Sequence, residues 1–272
     1  MTVKMIATDM DGTFLRDDKK YDVDRFREQL KFMDEKKIQF VAASGNQFYQ
    51  LKDFFTPITN QYKIDFVADN GARIFMANKL IYEATVTREQ LQKVIEWNAK
   101  NPASHNNLII LTGNHGAYVS NHAVDQVLTE VKSFYNPVYQ VEKLLEIQDE
   151  IFKVTFVWPN KQVQAYVTAL LAIFGDELHA TGSGFGSVDV LARGVNKASG
   201  LSKLQAAYNI TADEIVAFGD NNNDLEMLNY VGTGYVMPNA YPAMHEVGFK
   251  EALADNNHDG VLVTIDQILE NI

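Results

Sequence analysis

Cysteine is absent from the 272 residues of this chain, and proline is scarce, with 6 residues. The absence of cysteine excludes disulfides, thiolate metal sites and cysteine nucleophiles, and it agrees with a reducing compartment. Long apolar runs are also missing. None approaches the roughly 18 to 20 residues that span a bilayer, and residues 1–11 contain no apolar signal-peptide core. The sequence therefore predicts a cytoplasmic protein with no membrane partner.

Positive charge is in deficit as well. The chain has 24 Lys and Arg against 35 Asp and Glu, a formal net charge of -11. Because nucleic-acid affinity comes largely from clustered basic side chains, we expect no nucleic-acid partner. An anionic ligand would need local help from a cation, a lysine or backbone N–H groups.

Short apolar runs that end in polar turns organise both ends of the chain. They predict strands at residues 3–8, 38–43, 64–68, 215–218 and 234–237, and the 3.6-residue spacing of apolar side chains predicts helices at 22–36, after 46, at 225–228 and at 261–269. Strands that alternate with helices indicate an α/β fold with a Rossmann-like parallel sheet. Ligands bind beyond the carboxyl ends of such strands.

The middle of the chain follows a different pattern. Helices are predicted at 88–100, 124–134 and 161–174, and strands at 108–111, 117–120, 151–157 and 177–181. This order is typical of an α+β block. We expect a discontinuous core of residues 1–84 and 189–272, with an inserted domain of residues 85–188 that is joined at about Glu83 and Asp189.

Carboxylates follow two of the predicted strands. Asp9 and Asp11 come after the first, and Asp220 and Asp224 lie in an Asn-rich turn after a later one. A calcium loop that starts at Asp220 would need Gly at its sixth position and Glu at its twelfth, where the chain has Leu and Val. A hard-cation site for Mg²⁺, formed by the two acidic strand ends, is the interpretation that survives. The alternative for Asp9 and Asp11 is a solvent-facing acidic turn.

A hydroxyl and a lysine accompany these carboxylates. Ser44 and Gly45 follow the second strand and suit a phosphoryl oxygen, although such a pair is also common in plain turns. Lys197 lies just inside a predicted helix that begins near residues 195 and 196, where a cation opposes the helix dipole. Two carboxylate clusters, a hydroxyl and a lysine are the groups that phosphoryl transfer needs, because its catalysis is mainly positioning and charge neutralisation.

In this order and context, the four segments resemble the motifs of the haloacid dehalogenase superfamily phosphatases. They are Asp-Met-Asp-Gly-Thr at 9–13, Ser44, Lys197, and Gly-Asp-Asn-Asn-Asn-Asp at 219–224. The inserted block, the turn at 69–72 and the stretch at 256–261 are similar to the Cof-type branch, which carries a large α+β cap. Residues 43–47 and 183–186 are especially similar to an enterobacterial sugar phosphatase of that branch.

The resemblance implies a mechanism and a site. Asp9 would attack phosphorus and become an aspartyl-phosphate, while Asp11 would serve as general acid and then general base. Mg²⁺ would be held by the Asp9 side chain, the Asp11 backbone carbonyl, Asp220 and Asp224. The phosphoryl oxygens would be bound by Ser44, Gly45, Lys197, Asn223 and the Met10 backbone.

The resemblance also implies that the cap chooses the leaving group of a small phosphorylated substrate, with hexose and pentose phosphates expected. Candidate specificity residues are Asn46, Asn70, Phe185 and Asp189. Many Cof-type members have arginine at the position of Asn46, so this chain departs from them there.

Three other functions fit parts of the pattern. A phosphomutase would use the same core and return the phosphoryl group to the sugar. A glycosyltransferase would use the Asp-x-Asp pair but leave Lys197 and the second acidic turn without a task. A non-enzymatic sugar-phosphate sensor would normally lack Asp9, Asp11 or Lys197, and all three are present.

Overall fold

A computed structural model describes residues 2–58, 60–101, 107–122, 125–158, 162–184 and 186–272. The chain forms two compact units. The first comprises Met1–Tyr82 and Asn196–Ile272, and the second comprises Glu83–Val195. Among the described helices, none combines the length and the apolar character that crossing a membrane requires.

The strands are, in chain order, β1 (Met5–Thr8), β2 (Gln39–Ala43), β3 (Asp65–Ala68), β4 (Arg73–Met76), β5 (Lys79–Glu83), β6 (Leu108–Gly113), β7 (Gly116–Ser120), β8 (Val138–Val141), β9 (Ile151–Val157), β10 (Leu178–Gly182), β11 (Ser187–Ala192), β12 (Ile215–Gly219), β13 (Thr233–Val236) and β14 (Lys250–Glu251). The α-helices are α1 (Val23–Lys36), α2 (Phe48–Phe54), α3 (Arg88–Lys100), α4 (Asp125–Phe134), α5 (Val163–Phe174), α6 (Lys197–Tyr208), α7 (Leu225–Tyr230), α8 (Pro242–His245) and α9 (Gly260–Glu270).

The first unit is built on a sheet with the order β14-β13-β12-β1-β2-β3-β4-β5. Its strands from β14 to β3 are parallel, while β4 pairs antiparallel with β3. Every residue of β1 and β12 is buried, as expected for central strands covered on both faces. The predicted α/β fold with a parallel-sheet core is confirmed.

Local signals account for the first helix. Asp22 caps α1 by accepting a hydrogen bond from the backbone N–H of Arg25 at 3.0 Å. Phe26 and Leu30, one helical turn apart, are buried against the sheet. The helix ends where Lys37 adopts a left-handed conformation with φ of 58°.

The second unit has its own sheet, in the order β10-β11-β9-β6-β7-β8. Its described pairings are antiparallel except that β8 runs parallel to β7. Apolar side chains of α3, α5 and the central strands form a separate core in this unit. The unit is therefore an α+β block.

Several strands were not predicted, and one changes the expected junction. These strands are β4, β5, β8, β11 and β14. The outer strands β5 and β8 leave most of their side chains at least partly exposed, so no apolar run marks them. The expected junction at Asp189 falls inside β11, which pairs with β9 and β10. Pairing on both sides keeps this strand in the second unit, and the division lies at Val195 and Asn196 instead.

The sheet of the first unit determines where the motif residues meet. The neighbouring strands β12, β1, β2 and β3 run parallel, so their carboxyl ends lie side by side at one edge. Asp220, Asp9, Ser44 and Asp69 come directly after these four strands. The topology alone therefore brings the acidic turns and the Ser44 turn together.

Candidate active site

A buried lysine lies at the centre of this edge. The Lys197 ammonium is 2.5 Å from Asp9 Oδ1 and 2.6 Å from Asp224 Oδ1. The Lys197 side chain is fully buried, and so is that of Asp224. A fully buried ammonium is stable only when it is paired and hydrogen-bonded, and here two carboxylates accept hydrogen bonds from it.

The start of α6 holds this lysine in place. Asn196 caps the helix by accepting from the N–H of Ser199 at 2.8 Å, and the Ser199 hydroxyl accepts from the N–H of Asn196 in return. Gly71, with φ of +99°, packs against the same cap, because a Cβ there would lie 2.1 Å from the Asn196 carbonyl oxygen. The capped helix start aims Lys197 at the carboxylates, which explains a cation at an otherwise unfavourable helix position.

The turn after β12 presents the other two carboxylates. Asp224 Oδ2 accepts from the backbone N–H groups of Asp220 and Asn221 at 3.0 and 3.1 Å. Asp220 Oδ1 accepts from the Thr13 hydroxyl at 2.8 Å. Gly12 has φ of +79°, and a Cβ there would lie 2.7 Å from Asp220 Oδ2. Only glycine fits at this point of contact between the two acidic turns.

Asp9, Asp220 and Asp224 form a group that could hold a metal ion. One carboxylate oxygen from each lies within 4.8 Å of the others. Such oxygens are ligands of hard cations such as Mg²⁺. Three carboxylates meet one ammonium here, so negative charge is in excess and the donor set fits a divalent cation. The Asp11 side chain lies outside this group, and metal binding by its backbone carbonyl stays a prediction.

The excess of carboxylates and their burial change the pKa values of the groups in the cluster. Burial and the neighbouring Asp224 raise the pKa of Asp220 to about 7. Burial also raises the pKa of Asp9, although the Lys197 ammonium opposes that change. Burial disfavours the charged form of Lys197, but Asp224 and Asp9 outweigh this effect and raise its pKa. Lys197 therefore stays protonated while the carboxylates compete for positive charge.

The turns after β2 and β3 form a second part of the site. The Asn70 N–H donates to the Ser44 carbonyl oxygen at 2.9 Å. The Asn70 amide also lies against Gly45, where a Cβ would be 3.2 Å from its Nδ2, and its Oδ1 accepts from Asn223 Nδ2 at 3.1 Å. Asn70 thus connects Ser44, Gly45 and Asn223, three of the residues predicted to bind phosphate.

Asp11 has its own set of partners. Its Oδ2 accepts from Asn46 Nδ2 at 2.8 Å, and its Oδ1 accepts from Lys19 Nζ at 2.5 Å. The neighbouring Met10 side chain is fully buried in the core, and the Met10 carbonyl oxygen accepts from the N–H of Leu15 at 2.8 Å. The two aspartates of the first motif therefore have different surroundings, with a lysine from α6 on Asp9 and an amide on Asp11.

A profile of the haloacid dehalogenase-like hydrolases matches residues 6–265. The chain belongs to this haloacid dehalogenase-like hydrolase family. The 5-amino-6-(5-phospho-D-ribitylamino)uracil phosphatase YbjI of Escherichia coli is 35% identical over 271 residues, which cover 100% of this chain and 98% of that protein. The HMP-PP phosphatase of Klebsiella pneumoniae is 26% identical over 277 residues, which cover 98% of this chain and 96% of that protein.

A solved structure agrees with this assignment. The crystal structure of SMU.1108c from Streptococcus mutans superposes with a TM-score of 0.92 at 32% sequence identity. The superposition covers 99% of this chain and 100% of that chain. This likeness extends over both units of the chain, as does the family profile that matches residues 6–265.

The predicted specificity residues of this haloacid dehalogenase-like hydrolase are divided between its two units. Asn46 and Asn70 belong to the first unit and contact motif residues. Asp189 belongs to the second unit, where its carboxylate is 3.1 Å from the buried Lys153 ammonium and 2.6 Å from the Thr155 hydroxyl. Phe185 lies outside the described residues. Their roles in specificity stay predictions.

Sequence patterns missed two side chains of the site. Thr13 lies within the first motif but had no assigned role, and its hydroxyl holds Asp220. Lys19 lies ten residues after Asp9 in a loop with no recognisable pattern, yet its ammonium contacts Asp11. The position of Thr13 within the motif is the one signal that its hydroxyl could bind a neighbouring carboxylate. Nothing in the sequence around Lys19 indicates which way its side chain points.

Proposed function

We propose that this family member is a Mg²⁺-dependent phosphatase of small phosphorylated metabolites and that Asp9 is its nucleophile. The observation that carries the proposal is the buried Lys197, which bridges Asp9 and Asp224 at 2.5 and 2.6 Å, with Asp220 beside them. This cluster lowers the free energy of unfolding, because its charged groups lose their hydration on burial and its carboxylates repel one another. Its arrangement suits the binding and transfer of a phosphoryl group.

Asp9 has the surroundings that a carboxylate nucleophile needs. The Lys197 ammonium at 2.5 Å fixes one oxygen and favours the ionised form. In the proposed first step, a carboxylate oxygen of Asp9 bonds to phosphorus while the bond from phosphorus to the ester oxygen breaks. The enzyme then carries an aspartyl-phosphate, and an alkoxide leaves.

Asp11 is assigned the proton transfers. It gives a proton to the leaving alkoxide in the first step. In the second step it takes a proton from the water that attacks the phosphorus of the intermediate, so Asp9 is released together with inorganic phosphate. Its partial exposure of 23% and its place two residues from Asp9 support this assignment.

Phosphate binding is assigned to Ser44, Gly45, Lys197, Asn223 and the Met10 backbone. Hydroxyl, amide, ammonium and backbone N–H groups are all donors that suit phosphoryl oxygens. Asn70 supports this assignment, because it ties the Ser44 turn to Asn223. These donors would let an acidic protein bind an anion locally.

Mg²⁺ is assigned to Asp9, Asp220 and Asp224, together with the Asp11 backbone carbonyl. The donor set is all oxygen, which this ion prefers, and the excess of carboxylates over ammonium favours a divalent cation. When bound, the ion supplies positive charge to the carboxylates and to a phosphoryl group.

The substrate class is inferred from the names of two relatives. The Escherichia coli relative is named for a phosphoribitylamino compound, in which the phosphate ester is carried by a polyol chain. The Klebsiella pneumoniae relative is named for a different phosphorylated metabolite. We propose phosphorylated sugars and polyols as the substrates of this chain, with action in the cytoplasm.

Phosphate release tests the proposal. Purified protein is incubated with sugar phosphates, polyol phosphates, nucleotides and an aryl phosphate, with Mg²⁺ or with a chelator. Asp9→Asn is compared with Asp34→Asn, which makes the same change at an exposed aspartate of α1. We expect wild type and Asp34→Asn to release phosphate only with Mg²⁺, and Asp9→Asn to lose at least about 10³-fold in rate.

A second measurement addresses the intermediate. Turnover of a ³²P-labelled substrate is quenched in acid, and label bound to the protein is counted. We expect label on wild type and none on Asp9→Asn. Full activity of Asp9→Asn, or no phosphate release from the whole panel by folded wild type, would contradict the proposal. Conversion of a sugar phosphate to its isomer without free phosphate would identify a phosphomutase instead.

A further inference from the structure

Two side chains from different parts of the first unit grip the carboxyl group of Asp11. Asn46, just before α2, donates to Oδ2 at 2.8 Å, and Lys19 donates to Oδ1 at 2.5 Å. Each oxygen therefore has its own donor. Two donors on the two oxygens fix the plane of a carboxyl group, which a single donor would leave free to rotate.

Asn46 is built as a rigid donor. Its residue is 91% buried, with 9% of its surface exposed. Its backbone N–H donates to the Ser44 hydroxyl at 3.2 Å, and its carbonyl oxygen accepts from the N–H of Asp69 at 3.0 Å. Since both backbone groups are engaged, the amide reaches Asp11 from a fixed position.

Lys19 is held by a loop that is anchored on both sides. The loop starts with Phe14, which is buried with its ring 5.0 Å from that of Tyr21. In the middle of the loop, Asp17 accepts from Asn256 Nδ2 at 3.0 Å and from Asn257 Nδ2 at 3.1 Å. These contacts fix the backbone from which the Lys19 side chain, 44% exposed, extends to Asp11.

We propose that Asn46 and Lys19 are positioning residues that orient Asp11 toward the ester oxygen of the leaving group. This inference rests on the proposed function, in which Asp11 gives that oxygen its proton. It also changes the expected role of Asn46. A specificity residue would distinguish substrates by their sugar, whereas a residue that acts through Asp11 distinguishes them by how much their leaving group needs a proton.

The leaving group therefore supplies the test. An alkyl ester such as glycerol 2-phosphate expels a weakly acidic alcohol and depends on proton donation. An aryl ester such as 4-nitrophenyl phosphate expels a much more acidic phenol and does not. The ratio kcat/KM is compared for the two esters, because it covers the steps up to departure of the leaving group and leaves out hydrolysis of the intermediate.

We expect Asn46→Ala to lower kcat/KM by about 10²-fold for the alkyl ester, the loss typical of a misplaced catalytic group. For the aryl ester we expect less than about 5-fold, because proton donation contributes little there. Lys19→Ala should show the same split with a smaller loss of about 10-fold, since its exposed ion pair is screened by water. Lys20→Ala is the matched control, because that side chain is 76% exposed and its ammonium is 3.7 Å from Asp18.

A double-mutant comparison makes the assignment specific. In the Asp11→Asn background, Asn46→Ala should cause no further loss on the alkyl ester, because the group it positions is already gone. Equal losses on both esters, or a full additional loss in that background, would overturn the inference. Thermal unfolding of each variant shows that it is folded, and Lys19→Ala gives a second test at an exposed side chain. Failure of folded wild type to release phosphate from any ester of the panel would refute the proposed function and this inference with it, whereas an active wild type with equal losses on both esters would refute this inference alone.

Discussion

Each unit of this protein contains a buried lysine against an aspartate, and the two clusters differ in their balance of charge. In the second unit, Lys153 and Asp189 are 3.1 Å apart with 3% and 1% of their side chains exposed. Within the part of the chain that the structure describes, that pair matches one positive with one negative charge. In the first unit, Lys197 is in contact with Asp9 and Asp224, and Asp220 completes a group of three carboxylates.

The difference separates a charge-balanced pair from the cluster that is proposed to carry out the reaction. A matched buried pair is satisfied by its own geometry and by neighbouring hydrogen bonds, here from the Thr155 hydroxyl to Asp189 at 2.6 Å. A cluster with excess negative charge is satisfied only when a cation joins it. Burial alone would not distinguish the two sites. The uncompensated charge does, and it is the feature that indicates function.

The largest expected effect comes from the same substitution at the two lysines. Lys197→Met should lower kcat for phosphate release by about 10³-fold, because it removes a cation from the group that is proposed to bind the phosphoryl oxygens. Lys153→Met should leave kcat within about 3-fold, since its charge is matched by Asp189. Rates at saturating substrate check both, with unfolding curves to show that the variants fold. A comparable loss of kcat in Lys153→Met would mean that the matched pair takes part in catalysis.

Stability should respond in opposite directions when one aspartate of each cluster is neutralised. Asp189→Asn takes the carboxylate from a buried ammonium, so we expect the free energy of unfolding to fall by about 3 kcal/mol. Asp220→Asn relieves repulsion among carboxylates. Because burial and Asp224 raise the pKa of Asp220 to about 7, its charge at pH 8 destabilises the fold, and the variant should gain about 1 kcal/mol in chelator.

Urea unfolding in chelator at pH 8 measures both changes. The exposed substitution Asp34→Asn serves as the control for the loss of one negative charge from an already acidic protein. A loss of stability in Asp220→Asn equal to that in Asp189→Asn would mean that the first cluster is balanced without a cation. The charge of this cluster would then give no reason to expect a metal ion there.

The convergence of the motif residues could be predicted from the sequence, and the reason is topological. Apolar runs predict parallel strands, and the carboxyl ends of parallel strands share one edge. Asp9, Ser44 and Asp220 each follow such a run directly, so their proximity needs no knowledge of side-chain directions. Lys197 could be singled out because a lysine at a helix start is unfavourable without a local partner.

What could not be predicted depends on side-chain direction and on burial of polar groups. Asn46 and Lys19 contact Asp11 only because a tight turn and a loop with a left-handed residue, φ of 61° at Lys19, aim them there. The sequence predicts a domain junction at Asp189, because an aspartate in a buried ion pair cannot be told from an exposed aspartate by sequence alone. β11 was missed for the same reason, because Asp189 interrupts the apolar residues of a strand whose four central residues are all buried.

The smallest expected effect comes from an exposed carboxylate, whose charge can be compared with the buried charges of the two clusters. Hydrogen bonds from Asn256 and Asn257 lower the pKa of Asp17. A carboxylate whose pKa is lower in the folded state stabilises the fold above its unfolded pKa of about 3.9, and this contribution is lost as the pH falls through the folded value. Asp17→Asn should therefore lower Tm slightly at pH 7, and this deficit should shrink as the pH falls below about 4.

Thermal unfolding of Asp17→Asn and of the control Asp34→Asn across this range measures the difference. If the deficit of Asp17→Asn stayed constant as the pH fell below about 4 and into strong acid, the asparagines would bind Asp17 equally well in both protonation states, and its charge would contribute nothing. A small deficit that vanishes in acid would instead show how little an ion contributes when water can replace its partners. The large effects expected at Lys197, on kcat, and at Asp189, on the free energy of unfolding, would then arise because these charges are buried and water cannot replace their partners. Which of the two quantities changes would depend on the balance of charge in each cluster.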